Sequence, residues 1–442
     1  MQHKTKSVRL GMLLVLCALA LFSVTPALAD QRAEAEKTFT MGEAVQRGLQ
    51  ANPQMAGIRA ALRGAEFGER AAQAAFYPAL TTNFGYSYVD EAVAQGDRGS
   101  WTANLNLSQP LFTGWRLLNT RQRAELAREQ VQLELINREL ALTLTIQEQF
   151  LELLRARENV RSARDSFIRL ESQLRNAQAF FDVGLRPKFD VLQAEVDLAQ
   201  AEQLLLISEN AVATQNARLN TLLNLDLETP VTYVGELTYS PFAPRLQDSL
   251  DMAFSQRPDI AMALKAEEIA DRDVDITASD LYPQVSADLD YYRRSTEEEI
   301  RGITTRPDSW WTTGVNVRWR AFDFNRTRHA TDQARQNVLR LREETANLRL
   351  EVSFAVQSLH LNLNEAAARI SVANKALEEA REGFRIAQAR FQAQVGTNTE
   401  VLDAQARLTR SEADLTDAMA DHQLAIARLF AATGEMNPGL EF

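Results

Sequence analysis

Four stretches of the chain alternate apolar and polar residues with a period of two. The alternation is unbroken in residues 101–108, where Trp, Ala, Leu and Leu occupy every second position. Residues 311–319 follow the same pattern, and so do the stretches that start at Leu80 and Val285. A period of two indicates β-strands with one apolar and one polar face. We therefore predict two β-hairpins, at about 79–112 and about 283–322, with polar loops at 90–99 and 293–307.

After each hairpin the pattern predicts a helix of unusual length. Residues 115–182 contain neither proline nor glycine, and residues 326–393 contain only Gly383. Roughly 65 helical residues extend about 100 Å. A second helical stretch follows each long helix, and helices of this length pack against partners. We therefore predict two long helical hairpins, at about 115–225 and about 326–432.

The whole pattern occurs twice along the chain. The short helix 41–51 and the helix 54–76, which ends at a Tyr-Pro pair, recur 205 residues later. From the hairpins onwards the two copies are 210 residues apart. A repeat of this length indicates two copies of one structural unit. We expect a first repeat at 30–227, a proline-rich connector at 228–245 with a short strand near Val231, a second repeat at 246–434 and a tail at 435–442.

The amino terminus has the features of a cleaved export signal. Basic residues precede an apolar core at 10–22, and the small-x-small motif Ala27-Leu28-Ala29 follows. We therefore predict a signal peptide at 1–29. Cys17, the only cysteine, lies in the apolar core after Leu16, which does not fit a lipoprotein signal. The mature chain is then expected to contain no cysteine and no disulfide.

Composition argues against several classes of protein. The net charge of −11 and the pI near 5.2 do not favour a nucleic-acid partner. The four histidines are scattered, with no pair at a metal-binding spacing, and no nucleotide-binding or nucleophile motif is present. We therefore expect neither an enzyme nor a protein with a metal or cofactor.

The alternating strands allow two interpretations. They can pack on the core of a soluble protein, or they can cross a membrane with aromatic residues near its surfaces. Strand length, aromatic content and export favour the membrane. Four strands cannot close a barrel, because known barrels have at least about eight, so several chains would have to contribute. The alternative is an exported periplasmic coiled-coil scaffold without channel activity.

This order of elements resembles the TolC family of outer membrane efflux proteins. The resemblance covers nearly all of the mature chain. Its specific marks are Asn52-Pro53 with Arg257-Pro258, the paired Tyr-Pro sites, and two turns, at 184–194 and 395–404. It implies a mainly α protein with a membrane β part: a homotrimer whose twelve-stranded barrel in the outer membrane continues into a helical periplasmic tunnel.

The resemblance also implies a function. Family members are passive exit ducts of tripartite efflux pumps or type I secretion systems. Their partners are a periplasmic adaptor protein and an inner-membrane efflux pump or ABC transporter, and the barrel contacts outer membrane lipid. Members dock their adaptors at the hairpin turns, so the contact candidates here are Gly184, Leu185, Arg186, Pro187, Gln394, Val395, Gly396 and Thr397.

The backbone of these turns follows from their residue types. Gly184 permits a left-handed reversal, and we expect Gly396 to supply this freedom in the second turn, where Gln394 aligns with Gly184. Asp190 is expected to cap the first return helix. Thr399 or Asn398 is expected to cap the second.

Four residues are candidates for a periplasmic gate. Glu400 and Asp403, three residues apart, share one face of the second return helix and match acidic positions of the family's entrance. In a trimer they would place six carboxylates around one aperture and attract cations, although acids also favour any helix start. Asp190 and Phe391 match positions of the family's latch. Phe391 lacks the hydroxyl of the tyrosine that family members have at the matching position. Gly396 stands where those members have an arginine.

The closed state would then need other contacts. We expect these to join Arg186, Lys188 or Arg390 to Glu400 or Asp403.

Overall fold

The structure is a computed structural model that describes residues 37–89, 99–227, 230–296 and 308–440. The predicted signal peptide with Cys17, the loop residues 90–98 and 297–307, and the last two residues lie outside these ranges. Helices dominate the described chain, and the predicted fold class of long helices with a small β part is confirmed.

Apart from the first short strand, which the sequence analysis did not predict, the elements of the first half and the connector follow the predicted order. They are β1 (Lys37–Phe39), α1 (Met41–Ala51), α2 (Pro53–Ala74), β2 (Ala79–Tyr88), β3 (Gly99–Phe112), α3 (Arg116–Asp182), α4 (Lys188–Leu222) and β4 (Val231–Tyr233).

The second half repeats six of these elements in the same order. They are α5 (Leu246–Gln256), α6 (Pro258–Ala278), β5 (Gln284–Thr296), β6 (Asp308–Arg318), α7 (Arg326–Gln392) and α8 (Asn398–Thr433), with one 3-10 turn at Ser279–Leu281 after α6.

Polar side chains and prolines define where the first helices begin. Thr40 caps α1: its hydroxyl accepts from the Glu43 amide, and the Glu43 carboxylate accepts from the Thr40 amide. The Asn52 side chain caps α2 by accepting from the Gln54 amide at 2.9 Å. Pro53 and Pro258 are the first residues of α2 and α6, where a missing backbone N–H costs no hydrogen bond.

The two predicted hairpins join into one antiparallel sheet with the strand order β2-β3-β5-β6. One face carries the apolar side chains, and Tyr86–Trp101 and Tyr291–Trp311 are in ring contact across neighbouring strands, each pair with centroids 4.6 Å apart. On the other face, Asp290 accepts from the Asn106 amide at 2.8 Å. In the described residues β2 and β6 each pair on one side only, so the sheet has two open edges.

A left-handed elbow leads from each strand into its long helix. Gly114 and Trp115 have φ of 62° and 64°, and the matching Phe324 and Asn325 have φ of 54° and 63°. Only glycine fits at position 114, because a Cβ there would lie 2.6 Å from the Ser279 carbonyl oxygen. Phe324 adopts the same conformation with a side chain, which costs of order 1–3 kcal/mol at such positions.

Each long helix packs antiparallel on its return helix, α3 on α4 and α7 on α8. The main core lies where α1, α3, α4 and the connector meet, around Ile146, Phe150 and Leu219. The short strand predicted near Val231 is confirmed as β4, and it pairs in parallel with β1, which the sequence analysis did not predict. Tyr233 of β4 is buried and its hydroxyl donates to Asn220 Oδ1 at 2.7 Å. The connector therefore completes the first core.

None of the described helices combines the length and the apolar composition that a transmembrane helix requires.

Candidate functional site

The candidate site is the end of the molecule where both helical hairpins turn. Residues 183–187 join α3 to α4, and residues 393–397 join α7 to α8. Both turns have the same backbone: the Leu185 amide donates to the Phe180 carbonyl at 2.8 Å, and the Val395 amide donates to the Arg390 carbonyl at 3.0 Å. These bonds satisfy carbonyl groups at the helix ends. The two tips are therefore copies of one turn.

The prediction that Gly396 supplies the left-handed residue of the second turn is wrong. Gly184 has φ of 77°, and its counterpart Gln394 adopts φ of 65° itself. The repeated turn demands this conformation whatever residue stands there. Gly396 instead permits a close approach of the turn to the end of α7, because a Cβ at this position would lie 3.0 Å from the Arg390 Cβ.

The predicted helix caps are also wrong. Helix α4 begins at Lys188 after Pro187, and no side chain caps it, so Asp190 lies inside the first turn. Helix α8 begins at Asn398, and its cap is Thr397, whose hydroxyl accepts from the Glu400 amide at 3.2 Å. Both helices start earlier than predicted, so the expected caps already lie within them.

Polar contacts join the two tips of one chain. The Arg186 guanidinium donates to the Gly396 carbonyl and lies over the Phe391 ring, 5.2 Å from its centroid. The Asn398 side chain is buried, donates to the Asp190 carbonyl at 3.1 Å and accepts from Gln173 Nε2 at 2.7 Å. Since a buried amide without partners is costly, these bonds favour one relative position of the hairpins.

Phe391 belongs to the interior of the tip. It is 0% exposed, and its ring meets Phe180 edge to face, with centroids 5.5 Å apart. Val401 of α8 packs against it. This gate candidate therefore fastens the two hairpins of one chain, and its surface is not available to a neighbouring chain.

Glu400 and Asp403 lie near the start of α8, on the exposed side of the hairpin. One of the expected cationic contacts is present within the chain: Arg390 Nε lies 3.6 Å from Glu400 Oε2. Arg186 bonds to the Gly396 carbonyl. An exposed pair of this kind is worth little in stability and leaves Glu400 accessible to water.

A third carboxylate, which the sequence analysis did not single out, is influenced by the charge of Asp403. Burial raises the pKa of Asp197 on α4, and the nearby charge of Asp403 raises it further. Asp197 follows Asp190 by seven residues, a heptad spacing that places both on the same face of α4. The heptad spacing from Asp190 was the available signal in the sequence. The electrostatic influence of Asp403 acts between two hairpins and has no local signature.

Apolar side chains at the tips are exposed to solvent. Leu185 is 53% exposed, Phe189 67% and Val395 70%. Large apolar side chains exposed at the end of a helical hairpin are candidates for contact with another protein.

The comparison with protein families decides the identity of the chain. The model of the outer membrane efflux protein family matches two segments, residues 44–225 and 249–435. The chain belongs to the outer membrane efflux protein family. Both turns of the candidate site fall within the matched segments.

Relatives and solved structures agree with this assignment. The outer membrane protein TolC of Vibrio cholerae serotype O1 is 21% identical over 392 residues, which span 87% of this chain and 88% of that protein. The solved structure of CusC matches with a TM-score of 0.78 at 16% identity, over 90% of this chain and 92% of that one. The outer membrane protein VceC of Vibrio cholerae matches with a TM-score of 0.76 at 18% identity, over 89% and 96% of the two chains.

Membership establishes the general role of this outer membrane efflux protein. It is a protein of the outer membrane that serves as a duct for export. Proteins of the family are passive channels, so the chain is not an enzyme. The predicted family, location and absence of catalysis are confirmed on this ground.

The position of Asp197 predicts a pH dependence of tip stability. Because its pKa is higher in the folded tip than in the unfolded chain, the folded tip binds more protons between these two values. Tip stability should then fall as the pH rises through the raised pKa. Replacement Asp197→Asn should increase the hydrogen-exchange protection of residues 183–200 at neutral pH. It should also reduce the loss of protection that the unmodified chain shows between about pH 4 and about pH 7.

The matched control is Glu195→Gln, which removes a carboxylate from an exposed position on another face of α4. It should leave the pH profile of protection unchanged. Equal effects of the two variants would show that Asp197 has no special interaction with Asp403.

Proposed function

We propose that three copies of this chain assemble in the outer membrane into one continuous duct. The observation that carries this proposal is the four-stranded sheet, whose apolar face is exposed and whose edge strands β2 and β6 are open. In a membrane every backbone polar group must be paired, so open edges are not tolerated in lipid. Pairing β6 of each copy with β2 of the next closes a barrel of twelve strands.

The same assembly supplies the periplasmic part of the duct. Helices α3 and α7 contain 67 residues each, which corresponds to about 100 Å. Their packing on α4 and α8 gives each copy a wall of four helices, and three copies enclose a tunnel. The barrel continues this tunnel through the membrane, and the polar face of the sheet, with Asp288 and Asp290, lines its interior.

The duct works with partners that provide energy and recognition. We assign it to a tripartite efflux pump or a type I secretion system, in which a periplasmic adaptor links it to an inner-membrane efflux pump or ABC transporter. The apolar surface of Leu185, Phe189 and Val395 supports docking of the adaptor at the tips. The cargo is chosen by the pump, because a passive duct has no substrate pocket of its own.

The periplasmic entrance is the place where this duct selects ions. Glu400 and Asp403 of three copies contribute six carboxylates to the entrance, and Asp197 is near enough to Asp403 for the charge of Asp403 to raise its pKa. Clustered carboxylates attract cations and repel anions. The entrance is therefore selective for cations and sensitive to divalent ions.

Electron microscopy of the protein extracted in mild detergent tests the assembly. We expect a threefold particle with a detergent-covered end and a helical stalk of about 100 Å. A rod without a detergent belt, released from cells by osmotic shock, would instead identify a soluble periplasmic coiled-coil scaffold.

Replacement of both Glu400 and Asp403 by Ala tests the entrance. Loss of six negative charges should reduce the cation selectivity and the divalent-ion block of single channels in planar bilayers. The matched control, Asp248→Ala with Asp251→Ala on α5, removes as many charges far from the tips. Unchanged selectivity in a trimeric Glu400→Ala, Asp403→Ala channel would remove both residues from the entrance.

The combined replacements Leu185→Asp and Val395→Asp test the docking surface. Buried at an interface, the new charges would lack partners, so ethidium efflux should fall strongly in cells without the chromosomal copy. Leu227→Asp, at an exposed position after α4, should retain efflux. Full efflux by the tip variant would place adaptor contact elsewhere.

A further inference from the structure

The two elbows that join the sheet to the long helices share one backbone path but differ in chemistry. The first elbow segment, residues 108–119, contains one arginine and no acidic residue. The matching second elbow segment, residues 318–329, contains four arginines, one aspartate and one histidine. Since the whole chain has a net charge of −11, the second elbow segment is a cationic part of an acidic protein.

The side chains of the first elbow segment are fastened within the chain. Arg116 donates from Nε to the Ser279 hydroxyl at 3.0 Å and forms an ion pair with Asp280. Phe112 is half-buried, and its ring meets Trp115 edge to face with centroids 5.2 Å apart. The charge and the aromatic rings of this segment therefore serve packing.

The arginines of the second elbow segment are exposed, and none of them forms an ion pair within the described chain. They are Arg318, Arg320, Arg326 and Arg328. Arg318 ends β6 on the polar face of the sheet, opposite Gln284. Arg320 and Arg328 lie outside the sheet, one before the elbow and one in the first turn of α7.

The single carboxylate of this segment is already in use. The Thr327 amide donates to Asp323 Oδ2 at 3.0 Å, and the Thr327 hydroxyl donates to the same oxygen at 2.5 Å. These bonds lower the pKa of Asp323, and the charges of Arg326 and Arg320 lower it further. One carboxylate cannot neutralise four guanidinium groups, so the segment keeps a surplus of positive charge.

Two phenylalanines of the second elbow segment lie in solvent. Phe322 is 73% exposed and Phe324 84%, and their rings contact each other with centroids 4.7 Å apart. Phe324 has φ of 54°, where the first repeat has Gly114. Neither packing inside the chain nor backbone preference favours a phenylalanine here. Such an outlier indicates that the side chain itself has a function.

The second elbow segment continues the apolar face of the sheet. Val315, Val317 and Trp319 on that face are 60–65% exposed. In the proposed assembly this face contacts the hydrocarbon of the outer membrane, and α7 extends into the periplasm. Phe322 and Phe324 then lie at the periplasmic surface of the membrane, at the depth of the lipid headgroups, where aromatic rings are favoured.

We propose that the second elbow segment binds the headgroup of an anionic phospholipid, one for each copy of the chain. This proposal rests on the membrane orientation of the proposed function and names a lipid class that the duct selects. Arg320 and Arg328 contact the phosphate, because guanidinium groups donate paired hydrogen bonds to phosphate oxygens. Phe322 and Phe324 lie beside the upper part of the acyl chains.

The charges and the rings together favour a lipid over other anions. Inorganic phosphate has the same phosphate chemistry, but it has no acyl chain to cover the two exposed rings. A zwitterionic lipid has the acyl chains, but it has no net charge to pair with the surplus of arginines. The first elbow segment offers no such site, because its arginine already has a partner.

Native mass spectrometry of the full-length trimer in mild detergent tests the site, with phosphatidylglycerol and phosphatidylcholine as probes. The unmodified channel should retain about one phosphatidylglycerol per copy and several-fold less phosphatidylcholine. Replacement of both Arg320 and Arg328 by Gln should reduce the retention of phosphatidylglycerol several-fold. It should leave the retention of phosphatidylcholine unchanged.

The matched control is Arg349→Gln with Arg381→Gln, which removes two exposed arginines from the same helix. Neither has an ion pair within the described chain, and Arg349 lies about 32 Å from Arg328 along α7. This control should retain phosphatidylglycerol as the unmodified channel does. Equal losses in the two double variants would show a general effect of net charge and would overturn the site.

A second variant tests the ring at the strained position. Phe324→Gly gives the second elbow the glycine of the first, so the melting temperature of the trimer should stay the same or rise. The retention of phosphatidylglycerol should nevertheless fall several-fold. The control Asn224→Gly changes another exposed residue with positive φ, 52°, after α4, and should not alter lipid retention. Full retention by Phe324→Gly would contradict the proposed role of the ring.

The possible results separate the site from the proposed function. Equal retention of the two lipids by a trimeric, detergent-bound channel would overturn the site and leave the duct in place. Binding of inorganic phosphate in place of the lipid would do the same. A chain that purifies as a monomer without a detergent belt would overturn the proposed duct itself.

Discussion

The open edges of the four-stranded sheet are the constraint on which the rest of the structure depends. Strands β2 and β6 each have a row of backbone N–H and C=O groups without a strand partner in the described chain. Water can satisfy such groups, but the hydrocarbon of a membrane cannot. The apolar face of the sheet suits lipid, and the proposed assembly closes the edges with further copies of the chain. The helices then have to assemble around the same axis as the strands.

The internal repeat explains how one chain meets this requirement with few distinct contacts. The elbow at Gly114 recurs at Phe324, and the left-handed turn at Gly184 recurs at Gln394. In each case the second repeat keeps the left-handed backbone conformation although another residue replaces glycine. The packing of the repeat therefore outweighs the local preference of the residue. The repeats diverge on their surfaces, as the different charges of the two elbow segments show.

The two tips show how the repeats are fastened at the far end. Asn398 bridges α8 to Gln173 and to the Asp190 backbone, and Phe391 fills the space between the hairpins. These contacts lie inside one chain. The carboxylates Glu400 and Asp403 and the apolar side chains of the turns remain on the surface, as the proposed entrance and docking site require.

Sequence by itself determined the order, type and approximate length of the elements. Strand and helix periodicity, Pro53 and Pro258 at helix starts, and the absence of proline from the long helices are local signals, and the structure follows them. The repeat and its turns also identified the family. The helix starts at the tips were less well determined. The sequence analysis expected Thr399 or Asn398 as the cap of α8, whereas the structure uses Thr397, because boundaries shift by one or two residues until the turn is built.

Tertiary structure decided which distant residues meet. The electrostatic influence of Asp403 on Asp197, the burial of Phe391 beside Phe180, and the pairing of β1 with β4 link segments far apart in the chain. No local pattern encodes such contacts, because they depend on how two repeats dock.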